Sequence, residues 1–357
     1  MGRKCSESGV NAGVLLFFRT AAAFVYSCHM SSPNSPSSLP SAIENSLRRL
    51  DVQGSRVCVA LSGGMDSVVL LEALSRLGAA LSLQLSAIHV HHGLSPNADQ
   101  WAAFCESLCE ARSIPLTISR IQVDRSLPGG IEALARDARY AAFGGVNAEF
   151  LAVAQHADDQ AETVLHQILR GTGLKGMAGM GEARRLRDGL ILIRPLLGIA
   201  RAGIEAYAKE NRLEWIEDES NADTAYTRNF IRHTLTPTLA ERFPHYRESL
   251  ARAGRHAAEA DEMLSALAAI DLKWDGRNAY ADALDGLPLT RQINALYHWL
   301  QWQQGPGNPL NTFPSQAQLA QWAPQLFRST PTDRPHQAGG HDLVICRRKN
   351  LLRVEWK

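Results

Sequence analysis

Apolar residues recur along this chain in two rhythms, and their alternation sets the expected fold. RVCVALS, from Arg56, is a continuous β-branched and aliphatic run of strand length. VVLLEALSRL, from Val68, follows at helical spacing, and SGGMDS lies between them as a turn. LSAIHVHH, PLTISRIQV and FLAVAQH read as three further strands, each followed by a helical pattern: NADQWAAFCESLCEAR, GGIEALARDARYAAFGGV and DDQAETVLHQILRGTG. Strands alternating with helices at this spacing predict an α/β domain built on a doubly wound, mostly parallel sheet. SAIENSLRRL is expected as an opening helix, capped by Ser41 with Glu44 in the capping-box position. ILIRPLL and RLEWIEDES read as the tail of that domain.

From about Pro237 the pattern changes. TLAERFPHYRESLARAGRHAAEADEMLSALAAI is helix-rich, and HDLVICRRKNLLRVEWK alternates as strand, turn at Lys349 and Asn350, and strand. The expected organisation is therefore an N-terminal extension (1–40), an α/β domain (41–238) and a smaller helix-rich α+β domain (239–357), with the boundary near residue 240. In the extension, Arg3 and Lys4 precede the apolar runs 14–18 and 21–25 in the manner of a signal peptide. Arg19 splits those runs, and each is far shorter than the ~20 residues a membrane span requires. No membrane association is expected, and Met30, just ahead of the linker SSPNSPSSLPS, is the expected start of the chain.

Composition bears on this picture in three places. The 357 residues are 45% hydrophobic, enough for two modest cores. Lys plus Arg (37) against Asp plus Glu (36) leaves a net charge of +1, so any nucleic-acid surface must be a local patch. Six cysteines without a Cys-x-x-Cys pair fit free thiols in a reducing cytoplasm. Cys105 and Cys109, one helical turn apart, read as core residues rather than half a metal site.

The turn Ser62, Gly63, Gly64, Met65, Asp66, Ser67 aims the N-terminus of a helix at whatever occupies it, which makes it a candidate phosphate cradle. The glycines allow close backbone approach, the two serines add hydroxyl donors, and Asp66 is a candidate magnesium ligand. No GK[ST] follows, so a Walker A loop is excluded. Because ligands of a doubly wound sheet sit at the carboxyl ends of its strands, the other strand ends carry the remaining candidates. His89, His91 and His92 end the second strand, where a nucleotide base or ribose would lie. Arg136, Arg139 and Tyr140 share one helix face, suited either to a solvated surface or to neutralising pyrophosphate or RNA backbone. His156, Asp158, Asp159 and Glu162 open the helix after the fourth strand. Two of these carboxylates, three residues apart, are suited to an amino-acid ammonium group or to the helix dipole.

SGGMDS resembles the PP-loop of the ATP pyrophosphatases, which cleave ATP between its α and β phosphates and pass AMP to a carbonyl oxygen. With HVHHGL, EALARDARY, AQHADDQAETVLHQILRGTGLKG, RPLL and WIEDESNADTAYTRNFIRH in order, roughly residues 56 to 233 are similar to the tRNA(Ile)-lysidine synthetases, a family within that superfamily. The resemblance implies an adenine nucleotide α-hydrolase-like catalytic domain that uses ATP and Mg2+ to adenylate the wobble cytidine of the isoleucine tRNA with a CAU anticodon. Free L-lysine then displaces AMP. It assigns Ser62 to Ser67, His89, Arg136 and Arg139 to ATP, and Asp66 to the metal. Asp159 and Glu162 take lysine with His156 as helper, and Arg228 and Arg232 close over the ATP and cytidine beside Asp218, Asn221 and Asn229. Arg242, Arg247, Arg252, Arg255, Arg347, Arg348 and Lys349 are expected phosphate contacts of a tRNA-binding C-terminal domain. Gln155 departs from the family, where a histidine can stand. A tRNA thiolase of the same superfamily, normally dependent on paired cysteines or an iron–sulfur cluster, and a non-catalytic ATP-binding module are the alternatives. Whether the protein is a monomer or a homodimer is left open.

Overall fold

β1 (Arg56–Ala60) is covered on both faces, which is why its apolar residues run without a polar alternate. Val57 and Val59 enter one core layer and Cys58 the other. The structure, a computed structural model, describes residues 38–356 apart from 94, 122–130, 218–226, 275–277, 304–312, 328–335, 340–342 and 349–350.

α1 (Leu39–Arg49), β1, α2 (Met65–Gly78), β2 (Gln84–His91), α3 (Ala98–Glu110), β3 (Leu116–Arg120), α4 (Ile131–Gly144), β4 (Phe150–Ala152) and α5 (Ala157–Leu169) follow in the expected alternation. The short α6 (Leu174–Met177) leads to a hairpin of β5 (Ala183–Arg187) and β6 (Leu190–Ile193), and then to α7 (Arg201–Glu210). The sheet order is β3-β2-β1-β4-β6-β5. β1 pairs in parallel with both β2 and β4, β6 continues the parallel set, and β5 closes it antiparallel. LILI is thus an interior strand rather than part of a tail, whereas RLEWIE, the described part of RLEWIEDES, forms no strand.

α1 begins at Leu39, earlier than the expected Ser41 cap, with Ser38 at the cap position and proline in its first turn, where the missing N–H is tolerated. Glu44 bonds Arg48 one turn on instead of closing a capping box.

After α7, the chain forms α8 (Thr227–Phe230), one π-helical turn (Ile231–Leu235) and α9 (Thr236–Arg242) as a continuous helical run. α10 (Tyr246–Asp271) follows. The chain divides into two compact units within this helix: Tyr26–Ala257, and a second that includes Ala258–Lys357. The helix is unbroken across that point, and Gly254 sits so close to Val164 and the Ala178 carbonyl that an added Cβ would lie 3.2 Å from each.

In the second unit, β7 (Ala279–Tyr280), α11 (Leu289–Trp302), α12 (Gln316–Phe327), β8 (His336–Gly339), β9 (Leu343–Arg348) and β10 (Leu351–Trp356) form an antiparallel sheet, β7-β10-β9-β8, with two helices. Trp299, Phe327, Leu343 and Ile345 fill its core. Arg347, expected to contact phosphate, is instead 3% exposed and donates both terminal nitrogens to Asp285, at 2.7 and 2.8 Å, and one to the Leu326 carbonyl. A guanidinium is tolerated at such depth only when its donors are matched. Arg348's side chain and Lys349 lie outside the described residues.

Asp285→Ala strands this buried cation and is expected to destabilise the second unit by about 3 kcal/mol in urea unfolding. A change within about 0.5 kcal/mol, the range of an ordinary surface substitution, would show that the pair is dispensable.

Candidate active site

Strand order reverses at β1 and β4, since the chain builds outward to β3 and returns to the other side of β1. The crevice at the carboxyl ends of those two strands is where a doubly wound sheet binds its ligand. It is bordered by the turn Ser62 to Ser67 and by the first turn of α5.

The turn is held by its own serines. Ser67 Oγ donates to the Gly64 carbonyl at 2.8 Å, the two hydroxyls are 3.1 Å apart, and the Gly64 N–H donates to Ser62 Oγ at 3.3 Å. Gly63 has φ +89°, a conformation side chains rarely adopt, and a Cβ there would meet Ile216 Cδ1 at 3.1 Å. Its carbonyl accepts from the Ile216 N–H at 2.9 Å. The first amide of α2 bonded back to the turn is Val68, to Gly64, so the amides of Met65, Asp66 and Ser67 precede the helical ladder, the arrangement by which a helix N-terminus can receive an anion.

His89 is 4% exposed, and its Nδ1 bonds the Leu61 carbonyl at 2.9 Å, bracing the backbone just before the turn. Burial lowers its pKa, so the ring is neutral. Cys105 Sγ lies 3.5 Å from the same nitrogen, and Cys105 and Cys109 are core residues, as expected. His91 instead joins Asp99, at 3.2 Å, which also accepts from Arg120 at 2.9 Å. His92 Nδ1 is buried without a partner, and burial together with the Arg139 charge drives its pKa to about 4. Among the described residues no group of three or more His, Cys, Asp or Glu side chains is arranged to hold a metal ion. Asp66 stands apart: its Oδ1 is buried with no hydrogen-bond partner.

From the β4 side, His156 caps α5. Its Nδ1 accepts from the Asp159 N–H at 3.4 Å, and Asp159 Oδ2 accepts from the His156 N–H at 3.1 Å. Its Nε2 lies 3.7 Å from Asp66 and 3.5 Å from Asp159, so this 2% exposed ring links the cradle to the α5 carboxylates. Burial would lower its pKa, but the hydrogen bond to Asp66 and the charges of Asp159, Asp66 and Asp158 prevail and raise it.

Asp159 and Glu162 face one side of α5, and both are buried. Two arginines meet them. Arg232 reaches Glu162 at 2.7 Å and Asp159 at 2.8 Å, and Arg228 reaches Asp159 at 3.0 Å and Glu162 at 3.3 Å. Arg228 and Arg232, four residues apart, straddle the start of the π turn, a widening that recurs at functional sites. Burial alone would lower the pKa of Arg232, but Glu162, Asp159 and Asp66 raise it. The sequence brings these four residues into view separately. Their pairing, across 66 to 73 residues of chain, comes only from the fold. Asp218 and Asn221 lie outside the described residues.

Asp158 accepts from the Arg201 N–H at 2.8 Å and pairs with Arg247, which is therefore engaged within the domain rather than free for phosphate. Arg194, the arginine of RPLL, is a residue the sequence reading passed over. It is 5% exposed and donates to Gln155 and to the Gly181 carbonyl, so Gln155 has a structural partner. Arg136 and Arg139 are exposed on α4, with Arg136 stacked on Tyr140. A cavity of about 280 Å³ adjoins the α5 carboxylates, lined among others by Asp158, Glu162, Arg201, Glu205, Arg232 and Arg247. No helix among the described residues is long and apolar enough to cross a membrane.

Residues 38–239 match the PP-loop domain family. The chain is 45% identical over 239 residues to the tRNA(Ile)-lysidine synthase of Nitrosomonas europaea, covering 66% of this chain and 52% of that one. It is 48% identical over 237 residues to that of Pseudomonas aeruginosa, covering 66% and 53%. The chain thus spans about half the length of these curated relatives. Among solved structures, the U34-tRNA thiolase NcsA from Methanococcus maripaludis, described with its 4Fe–4S cluster, superposes with a TM-score of 0.53 at 19% identity, over 62% of this chain and 78% of that one. At that identity the likeness is one of fold.

His92 supplies a pH test. A depressed histidine pKa favours the neutral ring in the folded state, so its contribution to stability is intact above 6.5 and is lost as pH falls toward 4. NMR titration is expected to give His92 a value of about 4, rising in Arg139→Gln. A wild-type value near 6.5 would mean that the ring is hydrated and unaffected by Arg139.

Proposed function

This chain belongs to the PP-loop domain family, and on that premise we propose that it is a tRNA(Ile)-lysidine synthase, an ATP-dependent ligase acting on the CAU-anticodon isoleucine tRNA in the cytoplasm. One observation carries the reading: an anion cradle after β1 and two buried carboxylates after β4 share a crevice, joined through His156. The names of the relatives supply the substrate class.

In this reading the 62–67 turn receives the phosphates of ATP, and His89, under Leu61, keeps its backbone in place. Arg139 adds positive charge from α4, and Arg136, exposed on the same helix, is left to the RNA backbone. Asp66 fits a magnesium ion, because its Oδ1 lacks any hydrogen-bond partner and magnesium bound to a nucleotide needs only one or two protein carboxylates. The metal would offset phosphate charge. The wobble cytidine is splayed from the anticodon stack. Its 2-carbonyl oxygen attacks the α-phosphorus and pyrophosphate leaves. The ε-amine of lysine then attacks C2, the C2–O bond breaks, and AMP departs with that oxygen.

The amine must shed a proton first, because free lysine has a pKa near ~10.4. Asp159 and Glu162 are the proposed acceptors. His156, whose neighbours favour its charged form, positions them and is not assigned as the base. Arg228 and Arg232 already neutralise both carboxylates, so an incoming ammonium must displace a guanidinium. Arg228 is the more exposed of the two, 38% against 28%, and is assigned to swing toward the phosphates as lysine enters. The neighbouring cavity suits a free amino acid, with Arg201 and Arg247 for its carboxylate and Asp158 and Glu205 for its α-ammonium. Arg242 and Arg252, both exposed, and the half-buried Arg255 are the remaining described candidates for tRNA phosphates.

Radiolabelled lysine, with ATP and magnesium, is expected to enter an in vitro transcript of CAU-anticodon isoleucine tRNA and not methionine tRNA. ATP cleaved in the presence of that tRNA without label uptake would discard lysine as the acceptor.

A further inference from the structure

β5 carries three arginines in five residues, ARRLR, and two of them are used within the fold. Arg185 pairs with Asp188 at 2.6 Å. Arg187 donates to the carbonyls of Gly144 and Val146, at 2.6 and 2.9 Å, which ties the strand to the end of α4. Arg184 differs. Its Cζ lies 4.9 Å from the ring centroid of Tyr140 on α4, and Arg136, one helical turn before Tyr140, places its own Cζ 5.6 Å from the same centroid. No carboxylate pairs with Arg136 or Arg184 among the described residues, and both side chains are exposed.

The ring itself is anchored. Tyr140 packs on the layer that holds Phe143 and Leu190, and meets Phe143 edge-on at 5.9 Å. An aromatic face attracts a cation and fixes a guanidinium plane, but two cations on one ring also repel each other, so the arrangement is completed by an anion. Guanidinium groups held this way match phosphate in bidentate fashion.

Two features identify that anion. Ala183 pairs with Ile193 at the carboxyl end of β6, so Arg184 lies near the crevice edge of the sheet. Yet β5 is three strands removed from β1, about 14 Å at the spacing of ~4.8 Å between neighbouring strands, which is too far for phosphates seated in the β1 cradle. A second, separate phosphate is required, and a polynucleotide supplies one.

We propose that Arg184 and Arg136, stacked on Tyr140, form a clamp for a backbone phosphodiester of the bound RNA, placing the tRNA across the β5 edge of the sheet. This rests on the ligase reading above. Arg184 takes no part in the assigned chemistry, so it can be changed alone.

The test is binding of the CAU-anticodon isoleucine transcript across a salt series, with KM values for tRNA and ATP. Arg184→Gln is expected to weaken tRNA binding, reduce the slope of log affinity against log salt by about 1 and raise KM for tRNA. KM for ATP and the melting temperature should stay at wild-type values, and Arg184→Lys should restore most of the slope. An unchanged slope and KM in Arg184→Gln, or a loss matched by a fall in melting temperature, would reduce the stack to a structural contact and overturn the clamp while leaving the ligase standing. A rise in KM for ATP with unchanged tRNA binding would assign the stack to the nucleotide and overturn it too. Wild-type protein that binds no tRNA would overturn both readings.

Discussion

Asp66, Asp158, Asp159 and Glu162 are gathered at the carboxyl ends of β1 and β4, two of them buried, and negative charge packed so closely calls for cations beside it. Much of the local architecture answers that requirement. Arg228 and Arg232 come from one helical run to cover Asp159 and Glu162, and Arg247 comes from α10 to cover Asp158. Four carboxylates face three guanidiniums, and that excess of negative charge raises the pKa of His156 against the effect of its burial. Asp66 Oδ1, by contrast, is buried without a hydrogen-bond partner.

The balance also constrains function. Asp159 and Glu162, each already matched by an arginine, cannot accept an ammonium group without releasing a cation, so amine capture and guanidinium movement are coupled. Arg228, the more exposed, is placed to make that exchange, while Arg232, which makes three hydrogen bonds to the pair against two from Arg228, keeps the carboxylates aligned. The phosphate cradle is less adjustable, because Gly63 holds a left-handed conformation against Ile216. One side of the crevice is preset and the other exchanges partners, a division suited to two successive half-reactions.

Much of this was legible in the sequence, because its signals are local. Buried strands read as unbroken apolar runs, the SGGMDS turn sits between a strand and a helix, and Asp159 and Glu162 share a face by helical spacing alone. What escaped depends on long-range contact. LILI is too short to declare itself beside RPLL, and only pairing with β4 makes it an interior strand. Arg247 and Arg347 looked like surface charges because Asp158 and Asp285, their partners, lie 89 and 62 residues away. The opening helix gained a turn because Pro40 is harmless in a first turn, a rule the Ser41 capping pattern obscured.

The most direct test of the two-sided crevice is to separate its half-reactions in Glu162→Gln. Transfer of label from the α-phosphate of ATP to tRNA, followed without lysine, reads the β1 side, and the lysine concentration needed to release AMP from that adenylate reads the β4 side. Independence of the two sides predicts adenylate formation close to the wild-type rate with the lysine requirement raised at least tenfold. Adenylation that falls in step with lysine transfer would contradict it, since the two sides would then be a single, indivisible site.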